Sequence, residues 1–202
     1  MTKVLILGSN GMLGHKLYQV LTPIFDLSGT IRGDYSSISK YNFFQQSRII
    51  PNIDALEISQ VEKVIEETEP DVVINAIGII KQLKNEKGTL FNIWLNSLFP
   101  HQLYQICQAK GIRLIHISTD CVFSGAKGSY QEDDPSDAED IYGKTKYLGE
   151  VNEKELGKIN PLCPEKGPRK AGSLVGRAGL EQEYDCVLAG IDGEELVEVD
   201  TK

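Results

Sequence analysis

The sequence has few of the residues that would build a metal centre or a disulfide framework. Its four cysteines, Cys107, Cys121, Cys163 and Cys186, are widely spaced, contain no CxxC pair and have no histidine cluster beside them, so they read as free thiols and no metal site is expected. Basic blocks are also missing. Lysine and arginine total 21 against 29 acidic residues, and the net charge of -8 argues against a nucleic-acid phosphate surface. No apolar run approaches the length of a membrane span, and Met1-Thr2-Lys3 leads into a strand rather than a signal-peptide core. A cytoplasmic chain with neither membrane nor nucleic-acid partners is therefore expected. What is present is 41% hydrophobic residues over 202 positions, enough for one good core and either one domain or one domain plus a fragment.

The organising stretch is Val4-Leu5-Ile6-Leu7-Gly8-Ser9-Asn10-Gly11-Met12-Leu13-Gly14. An apolar run enters a loop with glycines at three-residue spacing, and a helix-like segment follows, the pattern of a buried parallel strand turning into a helix N-terminus. Gly8 permits the turn, Gly11 lets a pyrophosphate approach the backbone, and Gly14 allows close packing of helix and sheet. A second strand is expected over 25–31, ending at Arg32. An arginine here, in place of an acid, favours the 2′-phosphate of NADPH over the free ribose of NADH, although a merely solvated arginine fits equally. A third strand within 49–56 ends at Asp54, where such folds contact adenine. Ile58, Val61, Val64 and Ile65 mark a helix that Pro70 terminates.

The run 71–78 is apolar enough to be a strand covered on both faces, and its small residues Ala76 and Gly78 would let a nicotinamide ribose lie against the backbone. Residues 90–110 predict a helix kinked at Pro100, or two helices, with Trp94 and Phe99 as core or dimer-interface residues. A strand over 113–119 delivers Ser118-Thr119-Asp120 to the sheet edge where ligands bind. Gly143-Lys144-Thr145 is rejected as a phosphate-binding Walker loop, since Ala138 stands where its first glycine belongs. In the helix from about 140, the i,i+4 spacing puts Tyr142 and Lys146 on one face.

Together these features describe carbonyl reduction by hydride. A free tyrosine, with a pKa of about 10, needs a nearby cation to serve as proton donor near neutrality. Lys146 supplies that cation for Tyr142, and Thr119 would hold the substrate oxygen.

The segments Gly8–Gly14, Asn75-Ala76-Ile77-Gly78, Ser118-Thr119-Asp120-Cys121-Val122-Phe123-Ser124-Gly125 and Tyr142-Gly143-Lys144-Thr145-Lys146 resemble the extended short-chain dehydrogenase/reductases. Within them the likeness is to the dTDP-4-dehydrorhamnose reductase group, over residues 1 to about 152. The resemblance implies a Rossmann-type doubly wound parallel sheet in the order 3-2-1-4-5. It also implies NADPH, with NADH as the alternative, and a 4-keto nucleotide-sugar substrate. By motif, Thr119, Tyr142 and Lys146 are catalytic. The cofactor-binding set comprises Gly8, Asn10, Gly11, Met12, Leu13, Gly14, Arg32, Asp54, Asn75, Ala76, Ile77, Gly78, Tyr142 and Lys146. Cys121 stands where the family often has tyrosine, which leaves substrate choice open.

After about residue 156 the pattern changes. Pro161-Leu162-Cys163-Pro164-Glu165-Lys166-Gly167-Pro168 reads as a linker. The stretch from Val175 through Gly179-Leu180-Glu181, Tyr184-Asp185 and Leu188-Ala189-Gly190 resembles the pedestal region of class B penicillin-binding proteins. The chain thus reads as a Rossmann domain, 1–156, truncated at its C-terminal side and carrying a small α+β appendage, 157–202, in place of the usual substrate domain. A chimera is expected, its reductase activity impaired. The alternatives are a cofactor-binding or oligomerising module without turnover, with a homodimer left open, or a fusion fragment with a cell-wall-synthesis tail. Ser37-Ile38-Ser39-Lys40 fits SxxK spacing by chance.

Overall fold

The computed structural model describes residues 1–79, 88–131 and 134–151, together with the backbone of two short strands at 172–173 and 187–190. Five strands, β1 Lys3–Leu7, β2 Asp26–Thr30, β3 Ile49–Ile50, β4 Val72–Asn75 and β5 Arg113–Ser118, pair in parallel in the order β3-β2-β1-β4-β5. Two tail strands, β6 Gly172–Ser173 and β7 Val187–Gly190, continue the sheet antiparallel beyond β5. The rest of the expected appendage lies outside the described residues.

β1 is central because every residue from Val4 to Leu7 is buried, and the two-residue period of a strand sends them to opposite faces. Leu5 and Leu7 join Val61, Val64, Ile65, Phe99, Leu103 and Cys107 on one side; Val4 and Ile6 join Leu17, Tyr18, Leu27, Ile31 and Phe44 on the other. The helices supplying these layers are α1 Met12–Leu21, α2 Ile58–Thr68, α3 Gly88–Asn92 and α4 Phe99–Ala109, with α5 Ile141–Leu148 set beyond β5's end. Burial of Cys107 pushes its thiol up to about 12, so it stays a packed, protonated side chain. Among the described residues, no helix is long and apolar enough to cross a membrane.

Three elements differ from expectation for identifiable reasons. β3 stops after two residues because Pro51 has no N–H to continue the ladder. β4 ends at Asn75, whose own Oδ1 accepts the Ile77 N–H at 3.1 Å and turns the chain out of the sheet. Around Pro100 the helix neither breaks nor splits: Ile93–Leu98 forms a π-helical segment in which the Phe99 N–H donates to the Trp94 carbonyl, joining α3 to α4. Trp94 stacks on fully buried Phe99 at 6.2 Å, which makes the pair part of the core.

One buried polar pair crosses the sheet. Asn75 and His116 face each other in the β4–β5 register, and the Asn75 amide donates to His116 Nδ1 at 3.1 Å, its oxygen being occupied by Ile77. The ring is therefore neutral and carries its hydrogen on Nε2, which has no hydrogen-bond partner among the described residues. Burial, and then the charges of Lys146 and His101, depress its pKa to about 3.

Two stability outcomes are expected. Phe99→Ala should lower unfolding free energy by about 3–5 kcal/mol in urea denaturation, the cost of an aromatic-sized cavity. For His116 the unfolded chain takes up a proton near pH 6.5 while the native ring does not until about 3, so stability falls as pH drops through that window. Unfolding free energies of wild type and His116→Gln from urea denaturation should diverge by about 2 kcal/mol between pH 7 and 5, wild type losing more.

Candidate active site

Parallel pairing brings the C-terminal ends of β1, β2, β4 and β5 to one edge of the sheet, and the order reverses between β1 and β4. That reversal opens a crevice above the strand ends, where open α/β sheets bind ligands. The glycine loop lies in it. Gly8 takes φ +82°, and a Cβ there would sit 2.8 Å from the Ile77 side chain, so the loop after β1 rests directly on the one after β4. Gly14 is packed so closely that a Cβ would overlap the Gly8 carbonyl oxygen, which seats the start of α1 against its own loop. The Gly8 N–H is taken by the Thr30 hydroxyl at 3.2 Å, and the buried Ser9 is pinned to β2 through the Thr30 carbonyl at 2.8 Å.

Gly11 is the exposed N-cap of α1 and offers no side-chain cap; no acidic residue stands in the first turn. The first-turn amides of Met12 and Leu13 have no intrahelical acceptor by the geometry of any helix start. Asn10 and Met12 are exposed beside them. A backbone cradle of this shape and polarity suits the pyrophosphate of a dinucleotide. Arg32 is exposed two residues beyond β2. Asp54 follows β3 by four residues and uses one carboxylate oxygen to accept the Leu56 N–H at 3.0 Å. Ala76, Ile77 and Gly78 leave the sheet as a loop over the crevice, Gly78 exposed.

At β5, Thr119 is buried and its Oγ1 accepts the Cys121 N–H at 3.2 Å, capping the short 3-10 turn Asp120–Val122. The hydroxyl itself donates to Asp120 Oδ1 over a long 3.3 Å. Directly over this turn lies α5, because Gly143 leaves no space for a side chain against the Cys121 carbonyl. The helix is capped by Asp140, whose carboxylate accepts the Gly143 N–H at 2.8 Å. Tyr142 is half-buried; one turn on, Lys146 is buried and its Nζ donates to the Ile117 carbonyl at 2.5 Å. Thr119, Tyr142 and Lys146 thus belong to two packed elements at the strand-end edge, on the β5 side of the crevice. A cavity of about 910 Å³ opens beside them, walled by Asp120, Cys121, Phe123, Tyr130, Glu139 and Asp140, with the Phe123 and Tyr130 rings stacked at 4.4 Å.

Several residues of this neighbourhood are missed by sequence reasoning. Asn96, fully buried in the π-helical segment, accepts the Ile79 N–H at 2.8 Å and donates to the Ile79 carbonyl and the Thr145 hydroxyl. Ser97 adds a bond to the Thr145 carbonyl at 2.8 Å. The signals were polar residues in apolar surroundings: Asn96 between Leu95 and Leu98, His116 between Ile115 and Ile117, and Glu150 four positions after Lys146.

The chain is similar to dTDP-4-dehydrorhamnose reductase of Streptomyces griseus, 30% identical over 72% of this chain and 43% of that protein. It is 31% identical to the spore coat polysaccharide biosynthesis protein SpsK of Bacillus subtilis, over 74% of this chain and 47% of the relative. Among solved structures, dTDP-4-dehydrorhamnose reductase of Bacillus anthracis in complex with NADP superposes with a TM-score of 0.56 at 28% identity, covering 74% of this chain and 48% of that one. The chain therefore spans about half the length of the relatives it matches. A second family model, the penicillin-binding protein dimerisation domain, matches residues 136–202, so the tail resembles that domain. The family model described as RmlD substrate binding domain matches residues 1–158, and the chain belongs to that family.

Proposed function

We propose that this chain carries the cofactor-binding and proton-transfer half of an NADPH-dependent reductase acting on a 4-keto nucleotide sugar, with NADH as the alternative cofactor. The observation that carries this reading is the packing of α5, with Tyr142 and Lys146, onto the 3-10 turn that Thr119 caps, at the same sheet edge as the glycine loop. The NADP complex of the Bacillus anthracis relative supports the choice of cofactor. A bound nicotinamide nucleotide would supply the hydride. Gly8, Asn10, Gly11, Met12, Leu13 and Gly14 would hold its pyrophosphate, Arg32 its 2′-phosphate, Asp54 the adenine side, and Asn75 to Gly78 the nicotinamide ribose.

Tyr142 gives its phenolic proton to the carbonyl oxygen as charge develops there. The Lys146 ammonium, anchored on Ile117, lowers the cost of the resulting phenolate. Thr119, its oxygen already accepting from Cys121, turns its hydrogen from the long bond to Asp120 Oδ1 onto the same substrate oxygen. The neighbouring cavity suits a sugar better than a phosphate: stacked Phe123 and Tyr130 offer a ring face, and Asp120, Glu139 and Asp140 accept hydroxyl hydrogens while repelling anions.

Residues 1–156 form the unit that bears this chemistry, in the cytoplasm, and 157–202 form an appended segment of separate origin. The match of the tail to a dimerisation domain favours a second reading, a module that binds cofactor and pairs with a second copy without turnover. Reduction of a dTDP-4-keto sugar by the full chain, followed as NADPH oxidation, separates the two.

Gly11→Asp, which sets a carboxylate into the cradle, should weaken NADPH binding at least about tenfold in a nicotinamide fluorescence titration. Tyr142→Phe should keep NADPH affinity within about twofold while lowering kcat by about 100-fold or more, measured under saturating cofactor. Loss of kcat with no change in either binding constant marks Tyr142 as the acid; an unchanged kcat removes it from that role.

A further inference from the structure

The last turn of α5 is docked on β5 by two side chains spaced four residues apart. Lys146 reaches the Ile117 carbonyl, and Glu150, just past the C-cap Gly149, accepts a hydrogen bond from the Ser118 hydroxyl. Ile117, Ser118 and Thr119 are consecutive, so the lysine anchor, the carboxylate anchor and the proposed substrate-oxygen donor occupy three successive positions of one strand end. We infer that Glu150 is a positioning residue for the Tyr142–Lys146 pair, fixing the lysine against β5 and balancing its charge. This inference rests on the catalytic reading given above.

The surroundings leave Glu150 with a defined electrostatic task. Burial pushes its carboxyl above the usual range, while the Ser118 hydrogen bond and the Lys146 ammonium draw it back. From β5, His116 lies near Lys146 and is held neutral by burial. From α4, His101 is engaged through Nε2 with the Leu148 carbonyl at 2.8 Å. On α5 itself stands Tyr142, one turn before the lysine. A buried ammonium beside a neutral imidazole gains from a nearby carboxylate, and Glu150 supplies it. At the alkaline pH where a tyrosine titrates, Glu150 is ionised. Its negative charge favours the protonated forms of both Lys146 and Tyr142. Removing that charge lets both lose protons at lower pH, and reduction needs the phenol protonated.

Glu150→Gln keeps the shape and the Ser118 contact but removes the charge. Two quantities are read on the full chain. One is the pH profile of kcat for reduction of a dTDP-4-keto sugar by NADPH. The other is the phenolate absorbance titration of Tyr142, resolved by difference against Tyr142→Phe and independent of turnover. The expected result is that the alkaline limb and the Tyr142 titration both move about half to one pH unit lower, with KM for the sugar unchanged. A folded Glu150→Gln protein whose Tyr142 titration does not move overturns the inference. Should that variant fail to fold, Ser118→Ala releases the carboxylate while keeping its charge. A smaller downward shift then supports the inference, and no shift overturns it. A wild-type chain without turnover whose Tyr142 titration still responds to Glu150 defeats the reductase reading and leaves the positioning role standing.

Discussion

The side chain of Asn96 ties together the parts of the chain that must agree for a site to exist. Its carboxamide is wholly buried and spends its groups on the Ile79 backbone, which follows β4, and on the Thr145 hydroxyl in α5. An amide sealed from water and left unpaired costs about 1–3 kcal/mol for each missing bond, so this three-way junction is favoured only when all partners are in register. The π-helical segment is what makes it geometrically available. Pro100 has no N–H to offer the carbonyl of Asn96, four residues earlier, and that carbonyl is approached instead by Gly149 at the end of α5. A proline that reads as a break thus becomes the reason a neighbouring helix can dock.

A second constraint acts at the centre of the sheet. Because β1 is buried on both faces, the loop that follows it has little freedom, and Thr30, Ala76 and Ile77 hold it from two sides. The amides of Gly8 and Ser9 are consumed by β2, which leaves the N-terminal turn of α1 as the polar part that faces the crevice. Recognition of an anion there falls to backbone groups whose positions are set by strand pairing, the rigid kind of support that binding sites on strand ends require.

The parts of this arrangement that could be read from sequence are those dictated by period and by punctuation. The apolar runs at 4–7 and 72–75, the glycine triplet and the Tyr142–Lys146 spacing each reflect a local rule, and each lies where that rule places it. What escaped reading depends on contacts between distant segments. The apolar neighbours of Asn96 signal burial but not its distant partners, Ile79 and Thr145, and the early end of β4 depends on an asparagine side chain folding back on Ile77. The neutral state of His116 requires knowing that Asn75 stands opposite and that Lys146 lies close by. Most of the tail, by contrast, is legible only as a resemblance, since it lies outside the described residues.

The two glycines that flank Lys146 have an effect beyond packing. At Gly143 the helix touches the Cys121 carbonyl, and at Gly149 it touches that of Asn96, with no room for a methyl group at either point. The two contacts act on opposite ends of the helix like the detents of an indexed shaft. Rolling α5 about its axis to re-aim Tyr142 would drive backbone into backbone at one end or the other. The helix is therefore held in one rotational position, and any tuning of the phenol's direction must come from the walls of the cavity instead of from the helix that carries it.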